Sequence, residues 1–205
     1  MLTKRDFLAG AAVTAALATL APSVRAERQL SVQEVLFDPE IPALGNPDGA
    51  ITIAEYFDYQ CPFCKRGHKD LLDVVREDGN VRLVMKDWPI FGGASFYASS
   101  LVLAAGTNYE RALNAVMSTR ARLSNADVDA ALESVGLDPK TMQDDLEKDV
   151  TRVDAIIERN MNQANILGFN GTPAFIIGKR VYAGALDVEG FKQAIALAKS
   201  DLSAE

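Results

Sequence analysis

Reactive side chains are scarce in this sequence of 205 residues: two cysteines, Cys61 and Cys64, and one histidine, His68. A disulfide-built scaffold needs more cysteines than that. A structural zinc site needs four ligands, and no third cysteine or second histidine joins Cys61, Cys64 and His68 to supply them. After the N-terminal segment no apolar run approaches the roughly 20 residues of a membrane-spanning helix, so no stable membrane insertion of the mature chain is expected. Basic residues are outnumbered 21 to 28, and a net charge of −7 disfavours nucleic acid and anionic lipid as partners. Internal repeats and low-complexity tracts are absent. What remains, 48% hydrophobic and 24% charged residues, is the composition of one globular domain, or of one domain with an insertion.

The N-terminus reads as a signal peptide. Lys4 and Arg5 precede an Ala-rich apolar run, Phe7 to Ala21, which ends at Val24-Arg25-Ala26 with small residues at the cleavage positions. Thr3-Lys4-Arg5-Asp6-Phe7-Leu8 resembles a twin-arginine export signal with Lys4 in place of the first arginine. Loss of residues 1–26 removes Lys4, Arg5, Arg25 and Asp6, leaving 18 basic against 27 acidic residues and a net charge of −9. The expected order is then a signal peptide over 1–26, an arm over 27–48 and a single domain over 49–205. Pro39, Pro42 and Pro47 predict that the arm is irregular, with a turn at Asn46-Pro47-Asp48-Gly49.

Within the domain, Ile51 to Phe57 has the β-branched and aromatic content of a buried strand, and from Cys61 to Val75 the spacing becomes helical. Asp78-Gly79-Asn80 breaks that helix, and Val81 to Lys86 is a second strand, giving a β-α-β unit with parallel strands. Helical patterns then fill about 94–166. The last of them is capped by Asp138, carries Pro139 in its first turn, presents Leu146, Val150, Val153, Ile157 and Met161 at helical steps, and stops at Gly168. Ala174 to Ile177 and Arg180 to Tyr182 read as a hairpin turning at Gly178-Lys179, and a helix capped near Asp187 is expected to bury Phe191, Ile195 and Leu197.

Chemistry rests on Cys61-Pro62-Phe63-Cys64 at the first strand-to-helix junction. As a structural staple this pair would be weak, because closing a four-residue loop contributes roughly 2 kcal/mol against about 3 for fifteen residues. As a redox pair it is well placed. A thiolate at Cys61 would meet the unpaired N–H groups and the positive end of the helix dipole, which lower a thiol pKa, while Cys64 lies one turn deeper. Pro62 fits the first helical turn, where its missing N–H would have had no partner.

Glu55-Tyr56-Phe57-Asp58-Tyr59-Gln60-Cys61-Pro62-Phe63-Cys64, followed downstream by Gly171-Thr172-Pro173-Ala174-Phe175, resembles the DsbA-like branch of the thioredoxin superfamily, and Leu44-Gly45-Asn46-Pro47 is similar to that branch's lead-in. The resemblance covers the mature chain. It implies an α/β thioredoxin-like fold with a helical insertion between the second strand and the strand that follows a cis-proline. It also implies that Pro173 is that cis-proline, lying against the cysteines, and that Thr172 offers backbone groups to an extended substrate. Glu55 matches an acidic residue beneath the active site, and Lys86 its basic partner on the next strand. In strongly oxidising members the position of Phe63 carries histidine, whose donor helps hold the thiolate. Phe63 cannot donate, and with Pro62 it offers apolar surface to a substrate. Trp88 and Phe91 are expected in the core more than on that surface.

The expected activity is exchange of disulfides with unfolded or thiol-containing polypeptides in the periplasm or cell envelope, with Cys61 attacking and Cys64 resolving, no bound cofactor, and a membrane or soluble redox partner. Oxidation is the first choice of direction, because an export signal implies an oxidising compartment and Glu27 to Gly49 is too short for an added dimerisation domain. A reductase or isomerase, and a non-enzymatic binding module or chaperone with a structural disulfide, are the alternatives.

Overall fold

A central strand covered on both faces carries no polar alternation, and all seven residues of β2 (Ile51–Phe57) are buried. The computed structural model describes residues 30–120 and 122–204; the expected signal peptide lies outside the described residues. Around β2 run β1 (Ala43–Gly45), β3 (Val81–Asp87), β4 (Ala174–Ile177) and β5 (Arg180–Ala183), in the sheet order β1-β3-β2-β4-β5. Only β2 and β3 are parallel, joined through the helix α2 (Pro62–Asp78); the other pairs are antiparallel. This is the expected thioredoxin-like α/β sheet.

Alternation along β2 divides the two faces. Ile53, Glu55 and Phe57 point toward α2 and the C-terminal helix α7 (Val188–Ser203), where Phe175 of β4 meets Phe191 edge-on at 5.2 Å. Tyr56 points the other way, its hydroxyl donating to Gln163 Oε1 at 3.0 Å on the long helix α6 (Pro139–Ile166). Among the described residues four α-helices, with a short 3-10 turn at Gly106–Asn108, stand between β3 and β4 where a helical insertion is expected: α3 (Gly93–Ala104), α4 (Tyr109–Met117), α5 (Asn125–Ser134) and α6. From Ala98 to Leu103 every residue of α3 is buried, on all sides of the helix, while Phe96 in its first half is exposed; the second half of α3 thus runs through the interior of this insertion.

Local signals set most ends. Asp138 accepts from the N–H groups of Lys140 and Thr141, with Pro139 next to it, and Gly79 closes α2 in the left-handed region at φ 68°. At Gly45, φ is 69° and a side chain would place its Cβ 2.5 Å from Val75 Cγ1 and 2.7 Å from the Val81 carbonyl, so glycine alone lets β1 reach the sheet edge.

Three expectations are corrected. The arm is not irregular: Ser31 caps a short helix α1 (Val32–Leu36) through a capping box with Glu34, and β1 pairs with β3 directly after Pro42. Prolines bracket these pieces without interrupting them. On α6, Val153 and Ile157 are buried as expected, whereas Val150 and Met161 face solvent and Ile156, Asn160 and Gln163 occupy the core face. On α7, Leu197 is exposed and Ala198 completes the buried stripe with Phe191 and Ile195.

Candidate active site

Cys61 is the N-cap of α2. Its backbone is extended (φ −72°, ψ 116°), Pro62 follows in the first turn, and its sulfur accepts the Cys64 N–H at 3.3 Å. As a thiol it donates to the Thr172 carbonyl at 3.2 Å. Both cysteines are free and buried. Thr172 precedes Pro173 through a cis peptide bond, and its hydroxyl, unpaired beside the neutral thiol, is placed to donate to a thiolate.

The two sulfurs differ by position. The Cys64 thiol donating to the Cys61 sulfur, opposed by burial and aided by Thr172 and the N–H groups of Cys64 and Phe63, holds the Cys61 pKa down at about 6. Burial, the hydrogen given to Cys61 and the nearby Glu55 charge drive Cys64 far above the usual thiol range. One proton is therefore shared unequally, with the negative charge on Cys61.

Glu55 lies under this pair. Burial, and then the Cys61 charge, raise its pKa to about 8, and Oε2 has no hydrogen-bond partner. Glu55 and Cys64 line a cavity of about 10 Å³ closed by Phe63, Gly67, Pro173, Phe175 and Leu186, room for one water. Phe63 itself is 53% exposed, its ring stacked under the Arg66 guanidinium at 4.4 Å. Trp88 is buried as expected, whereas Phe91 is corrected to the surface, 52% exposed beside Ile90.

Lys86 is not the partner of Glu55. In the β2–β3 register Glu55 is opposite Met85 and Lys86 is opposite Tyr56, so the lysine points to the other face of the sheet. There its ammonium lies 3.9 Å from Asp38, which also binds Arg159 at 2.7 Å, and burial lowers its pKa to about 8. His68 faces the insertion, its Nε2 2.7 Å from Asn114 Oδ1. Lys65 reaches the end of α4, donating to the Val116 carbonyl at 2.7 Å and to Thr119 Oγ1 at 2.8 Å.

Sequence reasoning missed the turn that delivers Cys61. Asp58, fully buried, accepts from the Gln60 N–H at 2.6 Å, the Ser95 hydroxyl at 2.6 Å and the Phe91 N–H at 2.9 Å. Gln60 spends its whole amide: Nε2 donates to the Phe91 carbonyl and to Ser95 Oγ, each at 3.0 Å, and Oε1 accepts the Leu123 N–H at 2.9 Å. An aspartate two residues before an N–H it can bind is a turn signal, and that pattern was present in Asp58-Tyr59-Gln60. Asp87 was also missed; burial raises it to about 8, opposed by Ser99 and the Asp87 backbone N–H, though its carboxyl oxygens make no well-formed hydrogen bond.

The family model described as Thioredoxin matches residues 38–196. A thioredoxin-like oxidoreductase from Silicibacter pomeroyi is 35% identical, with a TM-score of 0.79 over 83% of this chain and 99% of that one. The thiol-disulfide exchange protein alpha-DsbA2 from Wolbachia pipientis shares the fold at 24% identity, with a TM-score of 0.75 over 80% of this chain and 90% of that one. Among curated proteins, the Na(+)/H(+) antiporter NhaA 1 of Salinispora arenicola is 24% identical over 190 residues, 87% of this chain and 29% of the antiporter, so the chain spans under a third of that relative. The chain belongs to the thioredoxin family. It carries a free Cys-x-x-Cys pair at the head of α2, the arrangement that thiol-disulfide exchange requires.

Proposed function

We propose that this chain is a DsbA-like thiol-disulfide oxidoreductase, exported to the cell envelope, that introduces disulfides into polypeptides. The unequal sulfurs carry the reading: a cysteine pair whose outer member is held as thiolate near pH 6 has a stabilised reduced form, and hence a disulfide that readily accepts electrons. The substrate thiolate attacks Cys61 Sγ of the oxidised pair. The Cys61–Cys64 bond breaks, and Cys64 leaves with the electron pair. Glu55, protonated at neutral pH by its raised pKa, gives Cys64 its proton. A second substrate thiolate then attacks the substrate sulfur of the mixed disulfide and releases Cys61 as thiolate. Two electrons pass from the substrate dithiol to the pair, and a redox partner removes them. In reverse, Glu55 is the base.

Pro62, Phe63, Thr172 and Pro173 form the surface the substrate meets, Phe63 through its exposed ring and Thr172 through its backbone. The basic, Ala-rich N-terminal sequence supports export, and among the described residues no helix is long and apolar enough to cross a membrane. Phe63 favours a second direction, reduction, because it supplies no donor to the thiolate. The equilibrium reduction potential in glutathione buffers separates the two. A value well above the glutathione pool supports disulfide donation; one near thioredoxin, about −270 mV, assigns reduction, and a pair that does not exchange leaves a binding module.

A further inference from the structure

The nucleophile of a cysteine pair must be aimed as well as ionised, and in this chain the aim comes from the turn before it. The Cys61 N–H closes the turn by donating to the Asp58 carbonyl at 3.0 Å, which sets the direction in which the Cys61 side chain leaves the backbone. On its inner side the turn is anchored by Asp58, which accepts from Ser95 and the Phe91 N–H. Its outer residue, Gln60, adds a grip on two separate segments of the helical insertion: the loop after β3 with the first turn of α3, at the Phe91 carbonyl and Ser95, and the loop between α4 and α5, at the Leu123 N–H. Ser95 is shared, since its hydroxyl also donates to Asp58. Every polar atom of the Gln60 side chain is thus engaged, on segments 31 to 63 residues away in sequence. A surface glutamine that merely needs solubility does not order itself on three partners, because fixing so flexible a side chain costs conformational entropy.

We propose that Gln60 is a positioning residue for the Cys61 nucleophile, its amide locking the turn before the cysteine to both loops of the insertion. The inference rests on Cys61 being the reactive thiolate. With the turn held, the Cys61 sulfur stays over the N–H groups of Phe63 and Cys64 and against Thr172; with the turn loose, the sulfur leaves those donors for part of the time. Gln60 does not touch the sulfur. The charged and titratable groups that do face it, Cys64, Glu55 and Lys65, are untouched by a change at position 60.

The test is the pH profile of iodoacetamide alkylation of reduced Cys61 in Gln60→Met, which keeps side-chain length and loses all three hydrogen bonds, with folding checked by circular dichroism. The midpoint is expected to rise by about half a pH unit, a roughly threefold loss of thiolate below the midpoint. Ser95→Ala, which removes one shared anchor, should rise by less and covers the case of a Gln60 variant that does not fold. Tyr97→Phe is the control: it breaks bonds to Asp129 and Gln143 inside the insertion, away from the turn, and should leave the midpoint in place. Folded Gln60→Met with an unshifted midpoint, or an equal shift in Tyr97→Phe, overturns the proposal. An unsubstituted protein titrating at the ordinary thiol value of about 8.5 removes instead the functional reading beneath it.

Discussion

Replacing Glu55 by glutamine keeps the side chain's shape and removes its proton chemistry, so the same variant reads stability and turnover at once. In the unfolded chain this carboxyl ionises near its ordinary value of 4.5, whereas in the folded protein burial holds it protonated to about pH 8. The sign follows from proton counts. Between those values the native state holds a proton the unfolded state has released, so stability falls as pH rises from about 4.5 to 8. At pH 7 the native acid costs about 3 kcal/mol relative to a neutral isostere, from 2.5 pH units at 1.36 kcal/mol each. Glu55→Gln is therefore expected to raise the urea-unfolding free energy at pH 7 by up to about 3 kcal/mol and to change it little at pH 4, where the acid is neutral in both states. Disulfide exchange with a dithiol peptide should meanwhile slow by about 100-fold at pH 7, the lower range of general acid catalysis, since Cys64 must then leave without a proton donor. Equal stability changes at the two pH values would mean that Glu55 is ionised in the native protein, and unimpaired exchange would end its role as the acid.

Alkylation of Cys61 in the reduced protein should have its midpoint near pH 6, leaving about nine-tenths thiolate at pH 7 against about 3% for an ordinary thiol; a midpoint at 8 to 9 refutes the account of the sulfurs. Phe63→His supplies the missing donor, and a tenfold gain in thiolate stability would make the pair about 30 mV more oxidising in glutathione titration, whereas an unchanged potential would show that residue 63 does not reach the sulfur. Lys86→Met should leave both the alkylation midpoint and the exchange rate unchanged, because Lys86 lies across the sheet from Glu55, and a shift in either measurement contradicts the observed register.

Most of the frame was legible because its signals are local. The strand Ile51–Phe57, the glycine-terminated α2, the Asp138-Pro139 start of α6 and the hairpin after Pro173 follow from composition, caps and turn residues that need no partner to be read. What was not legible depended on partners. The five residues of α1 are too few to hold as a helix alone, and β1 has a single neighbouring strand, so both exist because the sheet is already there. Lys86 shows the limit most directly. Alternation says that strand residues point to two faces, but only the register with β2 says which, and a shift of one residue exchanges the faces. Leu197 failed for a simpler reason: Phe191 and Ile195 continue at Ala198 on a 3.6-residue period, and the more apolar leucine lies one position off it.

Asp58 and Asp87 show how unevenly the fold supplies donors to two buried carboxyls. Both are buried near the head of α2, and Asp58 adds to the burial that raises Asp87. Asp58 is given three donors by the turn and the insertion, from Gln60, Ser95 and Phe91, which take the place of water around a buried carboxyl. Asp87 receives no such set and is kept neutral by burial to about pH 8. Cys61 and Cys64, three and six residues beyond Asp58, are supplied just as unevenly: the sulfur at the helix end is given N–H donors and holds charge, while the one inside is given none that compensate for burial and keeps its proton. Donor supply at the head of α2 thus separates the two sulfurs. The insertion, which provides two of the three Asp58 donors and all of the Gln60 anchors, is part of the machinery that holds the cysteine pair asymmetric.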